Sequence, residues 1–214
     1  MIALEGGCRV AGWKEDAPVQ DGALRIWRHF EGALSLRVLE LDGEATLRNA
    51  SHDETLYVID GEGFANGTAI AKDTGIDLPP GHTLQLRGAM TLVSSLCPAA
   101  ESQRAISIAR LGDRPAQRTG DRWYRELLVG ETTQFVGGIP PGRAPDHFHL
   151  YEEVICILDG TGVMWAGATS TPIARGSCIF LPRGQRHCVE NTGAGELRLL
   201  GVFYPAGSPA VRYS

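Results

Sequence analysis

The chain has 214 residues, of which 43% are hydrophobic and 21% are charged, a composition typical of a globular protein that buries a sizeable core. Its 20 basic and 25 acidic residues give a net charge of −5. This argues against a nucleic-acid partner or an acidic membrane surface, because both are bound by basic faces. No apolar run approaches the roughly 18 residues of a membrane span, and the N-terminus lacks the basic and apolar regions of a signal peptide. Five cysteines without CxxC spacing favour reduced thiols and a cytoplasmic location.

Short runs of strand length fill both halves of the chain. The 27 glycines and 12 prolines separate these runs, which favours strands and tight turns over helices. Strands are predicted at 24–30, 33–41, 45–48, 55–59, 68–70, 83–87, 90–96, 102–110, 123–129, 132–136, 147–149, 153–158, 163–165, 177–181, 186–190 and 196–204. Residues 112–122, rich in Gly, Asp, Arg, Pro and Gln, are predicted to be a linker. Because no segment keeps a helical period over about 12 residues, we predict an all-β fold.

The two halves of the chain carry the same local pattern. Glu54 begins the run Glu-Thr-Leu-Tyr-Val-Ile-Asp-Gly-Glu-Gly, and Glu153 begins the matching run Glu-Val-Ile-Cys-Ile-Leu-Asp-Gly-Thr-Gly. A Pro-x-Gly turn follows in each half, at Pro79 and at Pro182. An internal repeat of this kind indicates two homologous β-domains. We place these domains at residues 1–114 and 115–214.

Three histidines and a glutamate in the second half have the spacing of a metal site. His147, His149 and Glu153 share odd parity, so their side chains can point to one side of one sheet. His187 follows the turn at Pro182 and therefore arrives on a separate strand. Imidazole suits Zn, Cu, Fe and Ni, and a carboxylate adds affinity for harder ions such as Mn and Fe(II). The pattern predicts one mononuclear metal site; the alternative is a buried polar cluster satisfied by hydrogen bonds.

The residues around this cluster resemble two motifs of the cupin superfamily, whose members are small β-barrels of jelly-roll type. The first motif, G-x-HxH-x-E-x-G, is seen from Gly142 to Gly160, although it is one residue short before its first histidine. The second, G-x5-PxG-x2-H-x3-N, is seen in full from Gly176 to Asn191. The resemblance implies two tandem cupin-type jelly-roll β-barrels, an arrangement called a bicupin. It also implies the metal ligands His147, His149, Glu153 and His187.

The first half keeps the barrel pattern without the ligands. Arg48, Ala50 and Leu84 stand where the resemblance would place the three histidines, and only Glu54 remains. The resemblance therefore implies a degenerate N-terminal barrel and a metal-binding C-terminal barrel.

Three further residues are candidates for the wall of a substrate pocket. Tyr151 shares strand parity with the histidines, and Trp165 follows the turn at Gly160. Arg198 carries a guanidinium able to bind a carboxylate through two hydrogen bonds. Each has a plainer interpretation, which is core packing for the two aromatic residues and solvated surface for Arg198. No residue is assigned a catalytic role apart from binding the metal.

A mononuclear site of this kind indicates a metal-dependent enzyme acting on a small organic substrate. We predict one divalent transition metal ion (Fe, Mn, Ni or Zn) and favour a dioxygenase, in which a redox ion binds a chelating substrate and activates dioxygen. The alternatives are an isomerase, lyase or hydrolase that uses the ion as a Lewis acid, and a non-catalytic metal-binding or ligand-binding cupin. We also expect a homodimer, because such barrels expose sheet edges and flat faces.

Overall fold

The computed structural model describes residues 1–99, 104–211 and 213. Nearly all regular structure in these residues is β-strand, so the predicted all-β fold is confirmed. Two 3-10 turns are the only helical elements described, and no helix in this part of the chain has the length and apolar character needed to cross a membrane. The chain divides into two compact units. The N-terminal barrel is Lys14–Arg114, and the C-terminal barrel combines Met1–Trp13 with Pro115–Ser214.

The first residues of the chain belong to the C-terminal barrel. They form β1 (Ile2–Ala3), a 3-10 turn (Glu5–Gly7) and β2 (Arg9–Gly12). Strand β2 pairs antiparallel with the later strand Ser177–Leu181, where Val10 lies opposite Ile179, and Val10 is buried in that core. The expected division at 1–114 and 115–214 therefore differs from the structure over residues 1–13. The reason is that their partner is a sheet edge far away in sequence, which local patterns do not reveal.

Three long strands dominate the N-terminal barrel. Its elements are β3 (Val19–Asp21), β4 (Leu24–Phe30), β5 (Ser35–Arg48), β6 (His52–Ala65), β7 (Thr68–Ala71), β8 (Thr74–Leu78), β9 (Thr83–Pro98), β10 (Ser107–Arg110) and a 3-10 turn (Leu111–Asp113). They hydrogen-bond in the order β10-β8-β6-β9-β5-β4-β3, with β7 added to β6. Gly88 permits β9 to approach β6 closely, because its φ is +139° and a Cβ there would lie 2.5 Å from the carbonyl oxygen of Glu62.

The C-terminal barrel is made from two antiparallel sheets. Its remaining strands are β11 (Gln117–Thr119), β12 (Arg122–Val129), β13 (Thr133–Ile139), β14 (Gly142–Arg143), β15 (Glu152–Asp159), β16 (Thr161–Ala166), β17 (Thr169–Ala174), β18 (Ser177–Leu181), β19 (His187–Asn191) and β20 (Leu197–Tyr204). The larger sheet has the order β1-β2-β18-β15-β20-β13-β12-β11, and the smaller one β14-β19-β16-β17. Ile155 and Leu199 from the larger sheet share one hydrophobic core with Met164 and Val189 from the smaller sheet. The alternation of strand side chains thus leaves one interior face on each sheet.

We predict that Val10→Ala lowers the free energy of unfolding of the C-terminal barrel by on the order of 1–3 kcal/mol, because it removes buried methyl groups and leaves a cavity. Val19→Ala is the matched control, since Val19 is 53% exposed on β3, and it should change the stability by less than about 0.5 kcal/mol. Denaturant unfolding followed by tryptophan fluorescence measures both effects. Equal effects of the two substitutions would contradict the placement of β2 in the core.

Candidate metal centre

Backbone pairing brings the predicted ligands together from separate segments. His147 and His149 lie between β14 and β15, Glu153 lies near the start of β15, and His187 begins β19. His147 and His187 form an isolated antiparallel bridge. The amide of His147 donates to the carbonyl of His187 at 3.0 Å, and the amide of His187 donates back at 2.9 Å. This pairing holds two of the histidines side by side.

The four side chains converge inside the C-terminal barrel. Each histidine offers a ring nitrogen, and these nitrogens lie within 4.8 Å of one another. The Oε2 atom of Glu153 is 3.8 Å from Nε2 of His149 and 3.6 Å from Nε2 of His187. His149, Glu153 and His187 are buried, whereas His147 is half-buried. The cluster therefore has the dimensions of a site for one metal ion.

Hydrogen bonds to backbone carbonyls set the tautomer of each histidine. Nδ1 lies 3.0 Å from the Pro145 oxygen in His147, 3.1 Å from the Val211 oxygen in His149 and 2.8 Å from the Gln185 oxygen in His187. Because a carbonyl oxygen can only accept, Nδ1 must carry the proton in all three rings. The lone pair of each neutral imidazole is consequently on Nε2, which is the form in which histidine binds metals.

The carboxylate of Glu153 is the strongest indication that a cation belongs here. Its Oε2 atom is buried and has no hydrogen-bond partner among the described residues. In the metal-free protein, burial raises the pKa of Glu153 to about 8. Burial, reinforced by the nearby charge of His147, lowers the pKa of His187 to about 3. A divalent cation would satisfy the orphaned oxygen and would use the neutral imidazoles as donors, so these residues fit a metal ion.

A cavity of about 100 Å³ opens beside the cluster. A single water needs roughly 10–15 Å³ of such space, so the cavity has room for a small molecule. Its walls are mainly apolar and include Tyr124, Phe135, Leu199 and Phe203. Arg122 is the only lysine or arginine among the described residues that line it.

Comparisons with known proteins agree with this architecture. The family model described as "Cupin domain" matches residues 135–203. The tetracenomycin polyketide synthase protein TcmJ of Streptomyces glaucescens is 30% identical over 109 residues, which are 47% of this chain and 72% of that protein. The chain belongs to the cupin superfamily. The oxalate-binding protein of Thermotoga maritima is also similar, at 37% identity over 67 residues, which are 30% of this chain and 55% of that protein.

Solved structures of cupins match nearly the whole chain. The putative glyoxylate induced protein of Pseudomonas aeruginosa superposes with a TM-score of 0.80 at 14% identity, covering 98% of this chain and 93% of that one. The oxalate decarboxylase of Bacillus subtilis superposes with a TM-score of 0.75 at 10% identity, covering 97% of this chain and 79% of that one. At such identities the likeness concerns the fold alone. It supports the predicted arrangement of two tandem cupin jelly-roll barrels.

The three residues predicted to form the wall of a substrate pocket do not line the cavity beside the cluster. Tyr151 packs behind the cluster, with its ring stacked on His149 at 4.9 Å between centroids. In the part of the chain that the structure describes, neither Trp165 nor Arg198 lines the cavity. Trp165 alternates with the core residue Met164 and instead donates from Nε1 to Glu190 Oε2 at 2.8 Å.

Arg198 is excluded from the pocket by the same alternation. It lies between Leu197 and Leu199, both of which face the core, so its side chain points to the other side of β20. The prediction of Trp165 and Arg198 as pocket residues is therefore corrected by strand parity.

Arg122, Trp123 and Tyr124 are cavity residues that sequence reasoning missed. Arg122 was predicted to be the last residue of the linker and Trp123 the first residue of the next strand. In the structure both belong to β12. Trp123 lies opposite Gly138 on β13, and this small residue leaves room for the cavity wall. A signal for these residues was the glycine pair 137–138 after the apolar Phe135 and Val136, because glycine within a strand indicates a close approach of another group.

The corresponding position in the N-terminal cupin barrel is occupied by an internal ion pair. Glu54 lies opposite Leu78 and Leu96, as Glu153 lies opposite Leu181 and Phe203. Both glutamates therefore have the same place in the barrel.

The residues around Glu54 compensate its buried negative charge in a barrel that lacks the three histidines. Its fully buried carboxylate accepts hydrogen bonds from Arg37, Asn49 and Ser94. The position equivalent to His187 is the fully buried Leu84. A guanidinium thus supplies the positive charge that a metal ion would supply in the other barrel.

We predict that Arg37→Met destabilises the N-terminal barrel by about 3–5 kcal/mol, because it leaves the buried Glu54 carboxylate without its cation. Arg28→Met is the matched control, since Arg28 is exposed and lies opposite Arg37 in the sheet. It should change the stability by less than about 0.5 kcal/mol. Denaturant unfolding monitored by circular dichroism distinguishes the two, and a neutral effect of Arg37→Met would contradict the ion-pair interpretation.

Proposed function

We propose that the C-terminal barrel binds one divalent transition metal ion through His147, His149, Glu153 and His187, and that it acts there on a small organic acid. The observation that carries this proposal is the buried, unpartnered Oε2 of Glu153, which faces the Nε2 atoms of His149 and His187. Three imidazoles and a carboxylate suit Fe, Mn, Ni or Zn. The Bacillus subtilis oxalate decarboxylase, which shares the fold, has Mn(II) centres.

The cavity supports a small carboxylate as the substrate class. The cavity has room for a small molecule, and Arg122, whose Nε lies 3.9 Å from Oδ1 of Asp121, is the only lysine or arginine among the described residues that line it. Arg122 is only 13% exposed, so a carboxylate bound to it would be largely removed from water, where a charge-assisted hydrogen bond is strong. The similarity to an oxalate-binding protein supports the same class.

The protein's own residues orient and shield the reacting molecule. A bound ion would supply Lewis acidity and, where the metal is redox-active, one-electron chemistry. The backbone carbonyls hold the imidazoles in the metal-binding tautomer, and Arg122 orients the carboxylate. Phe135, Leu199 and Phe203 exclude water from the cavity, which strengthens the electrostatic interactions within it.

The reaction class that we favour is a dioxygenase. Among the described residues that line the cavity, Glu153 is the only carboxylate and there is no lysine or cysteine. With no separate general base, the metal is expected to do most of the chemistry.

An isomerase, lyase or hydrolase is the alternative, and a non-catalytic binding protein is a third candidate, favoured by the similarity to the oxalate-binding protein. Oxygen uptake during a screen of organic acids and phenols with metal-loaded protein tests the dioxygenase. Conversion of a substrate without oxygen uptake supports an isomerase, lyase or hydrolase. Binding of a compound without conversion supports a non-catalytic binding protein.

We also propose that the protein is a cytoplasmic homodimer. All five cysteines are free thiols, as expected in a reducing compartment. Strands β3 and β11 end their sheets, and such edges are available for pairing with another chain. Analytical ultracentrifugation tests the oligomeric state.

We predict that His187→Ala abolishes stoichiometric metal binding while the barrel stays folded, because it removes a buried donor from the cluster. His52→Ala is the matched control, since His52 is exposed on β6 of the other barrel, and it should retain one metal ion per chain. Elemental analysis after loading with Mn²⁺ or Zn²⁺ measures the content. One ion per chain in the His187→Ala protein would show that the site has been assigned wrongly.

We predict that Arg122→Met raises the dissociation constant of oxalate for the metal-loaded protein roughly 10- to 100-fold, because a hydrogen bond to a charged group contributes about 1.5–3 kcal/mol. Arg118→Met is the control, since Arg118 is exposed on the neighbouring strand β11, and it should leave the constant unchanged. Isothermal titration calorimetry measures both. Equal affinities of the Arg122→Met and wild-type proteins would refute the role of Arg122.

A further inference from the structure

A C-terminal strap, defined as residues 205–211 and Tyr213, crosses the segment that carries the two motif histidines. Phe148 donates its amide hydrogen to the Tyr213 carbonyl at 2.9 Å, and Tyr213 donates back at 3.1 Å. Their rings stack with centroids 5.4 Å apart. Phe148 stands between His147 and His149 in sequence, so the strap is paired directly with the ligand segment.

Only one of the three histidines depends on this strap for its tautomer. His147 and His187 each donate from Nδ1 to a carbonyl two residues earlier in their own segment, at Pro145 and Gln185. His149 donates instead to the carbonyl of Val211, 62 residues away in sequence. The first two rings are therefore oriented locally, whereas the orientation of His149 requires the strap to be in place.

Tyr151 fastens the strap to the same histidine. Its ring stacks on His149 with an interplanar angle of 13°, and its hydroxyl donates to the Ser208 carbonyl at 2.9 Å. The Val211 carbonyl lies within 3.3 Å of that hydroxyl. Gly207 lies against the ring, so that a Cβ there would be 2.3 Å from Cε1 of Tyr151. A single methyl group at position 207 is consequently enough to push the strap away from Tyr151.

We propose that the C-terminal strap is a positioning element of the metal centre, in which the Val211 carbonyl holds His149 in the metal-binding tautomer and Tyr151 keeps that carbonyl in place. Pro209 of the strap also lines the cavity, so the same segment orients a ligand and completes the pocket wall. This inference rests on the proposed metal site. It adds that the site extends beyond the two motifs to a segment that contains none of their residues.

The test compares Gly207→Ala with Gly195→Ala in the full chain. Gly195 is exposed and a Cβ there meets nothing within 4 Å, so its replacement adds the same methyl group without displacing anything. We expect Gly207→Ala to raise the dissociation constant for Co²⁺ on the order of 10- to 100-fold, as losses of such outer hydrogen bonds do, and to change the visible absorption of the bound Co²⁺. Gly195→Ala should leave both unchanged.

A second readout needs no metal. Nitrogen-15 chemical shifts of the histidine rings in the metal-free protein should show the Nδ1–H tautomer for His149 in the wild type and a mixture of tautomers in Gly207→Ala, with His147 and His187 unchanged. A folded Gly207→Ala protein with wild-type Co²⁺ affinity and a wild-type His149 tautomer overturns the inference. If Gly207→Ala does not fold, Tyr151→Phe takes its place, and unchanged values in that variant overturn it equally. Failure of the wild type to bind any Co²⁺ would instead refute the metal site itself.

Discussion

A buried carboxylate that needs a positive charge is the constraint on which both barrels depend. Glu54 and Glu153 stand at the same strand position, and each is almost completely removed from water. An isolated carboxylate in such a place is expensive unless a cation and hydrogen bonds compensate it. The N-terminal barrel meets this need with Arg37, whose guanidinium is part of the chain. Among the described residues of the C-terminal barrel, the groups that face Oε2 of Glu153 are the imidazoles of His149 and His187, and this difference favours an external cation.

The barrel fold lets ligands from distant segments face one point. Each strand sends alternate side chains inward, so Glu153 enters the core beside Ile155 and Ile157 without disturbing the outer face. The antiparallel bridge between His147 and His187 then closes the site from the smaller sheet. These contacts are made by the backbone, so they hold His147 and His187 side by side without the help of side-chain contacts to an ion.

The sequence predicted the cluster of ligands, including the distant His187, because they lie in recognisable motifs, and it missed the cavity residues whose places depend on pairing across the sheet. The spacing of His147, His149 and Glu153 follows from one strand and its preceding loop, and it identified the cluster found in the structure. Arg198 was misplaced because its parity depends on which neighbours face the core, and Leu197 and Leu199 already occupy the inward positions. Arg122 was assigned to a linker, because its place in β12 comes from pairing with β11 across the sheet. The N-terminal β2 was likewise assigned by proximity in sequence, whereas its partner is β18.

One pair of matching positions is filled differently beside the glutamate of each barrel. In the N-terminal barrel, Arg37 lies opposite Ser94, and both side chains turn inward to bind the carboxylate of Glu54. The matching positions in the C-terminal barrel are Phe135 and Gly201.

The strand register establishes this correspondence, since Ser94 lies opposite Leu56 and Gly201 lies opposite Ile155, each two residues after its glutamate. Phe135 lies so close to Gly201 that a Cβ there would be 2.3 Å from its ring, and the ring forms part of the cavity wall. Replacing a charged side chain by an aromatic one removes the internal cation and supplies an apolar wall. The two matching positions therefore contribute to an internal ion pair in one barrel and to the apolar cavity wall in the other.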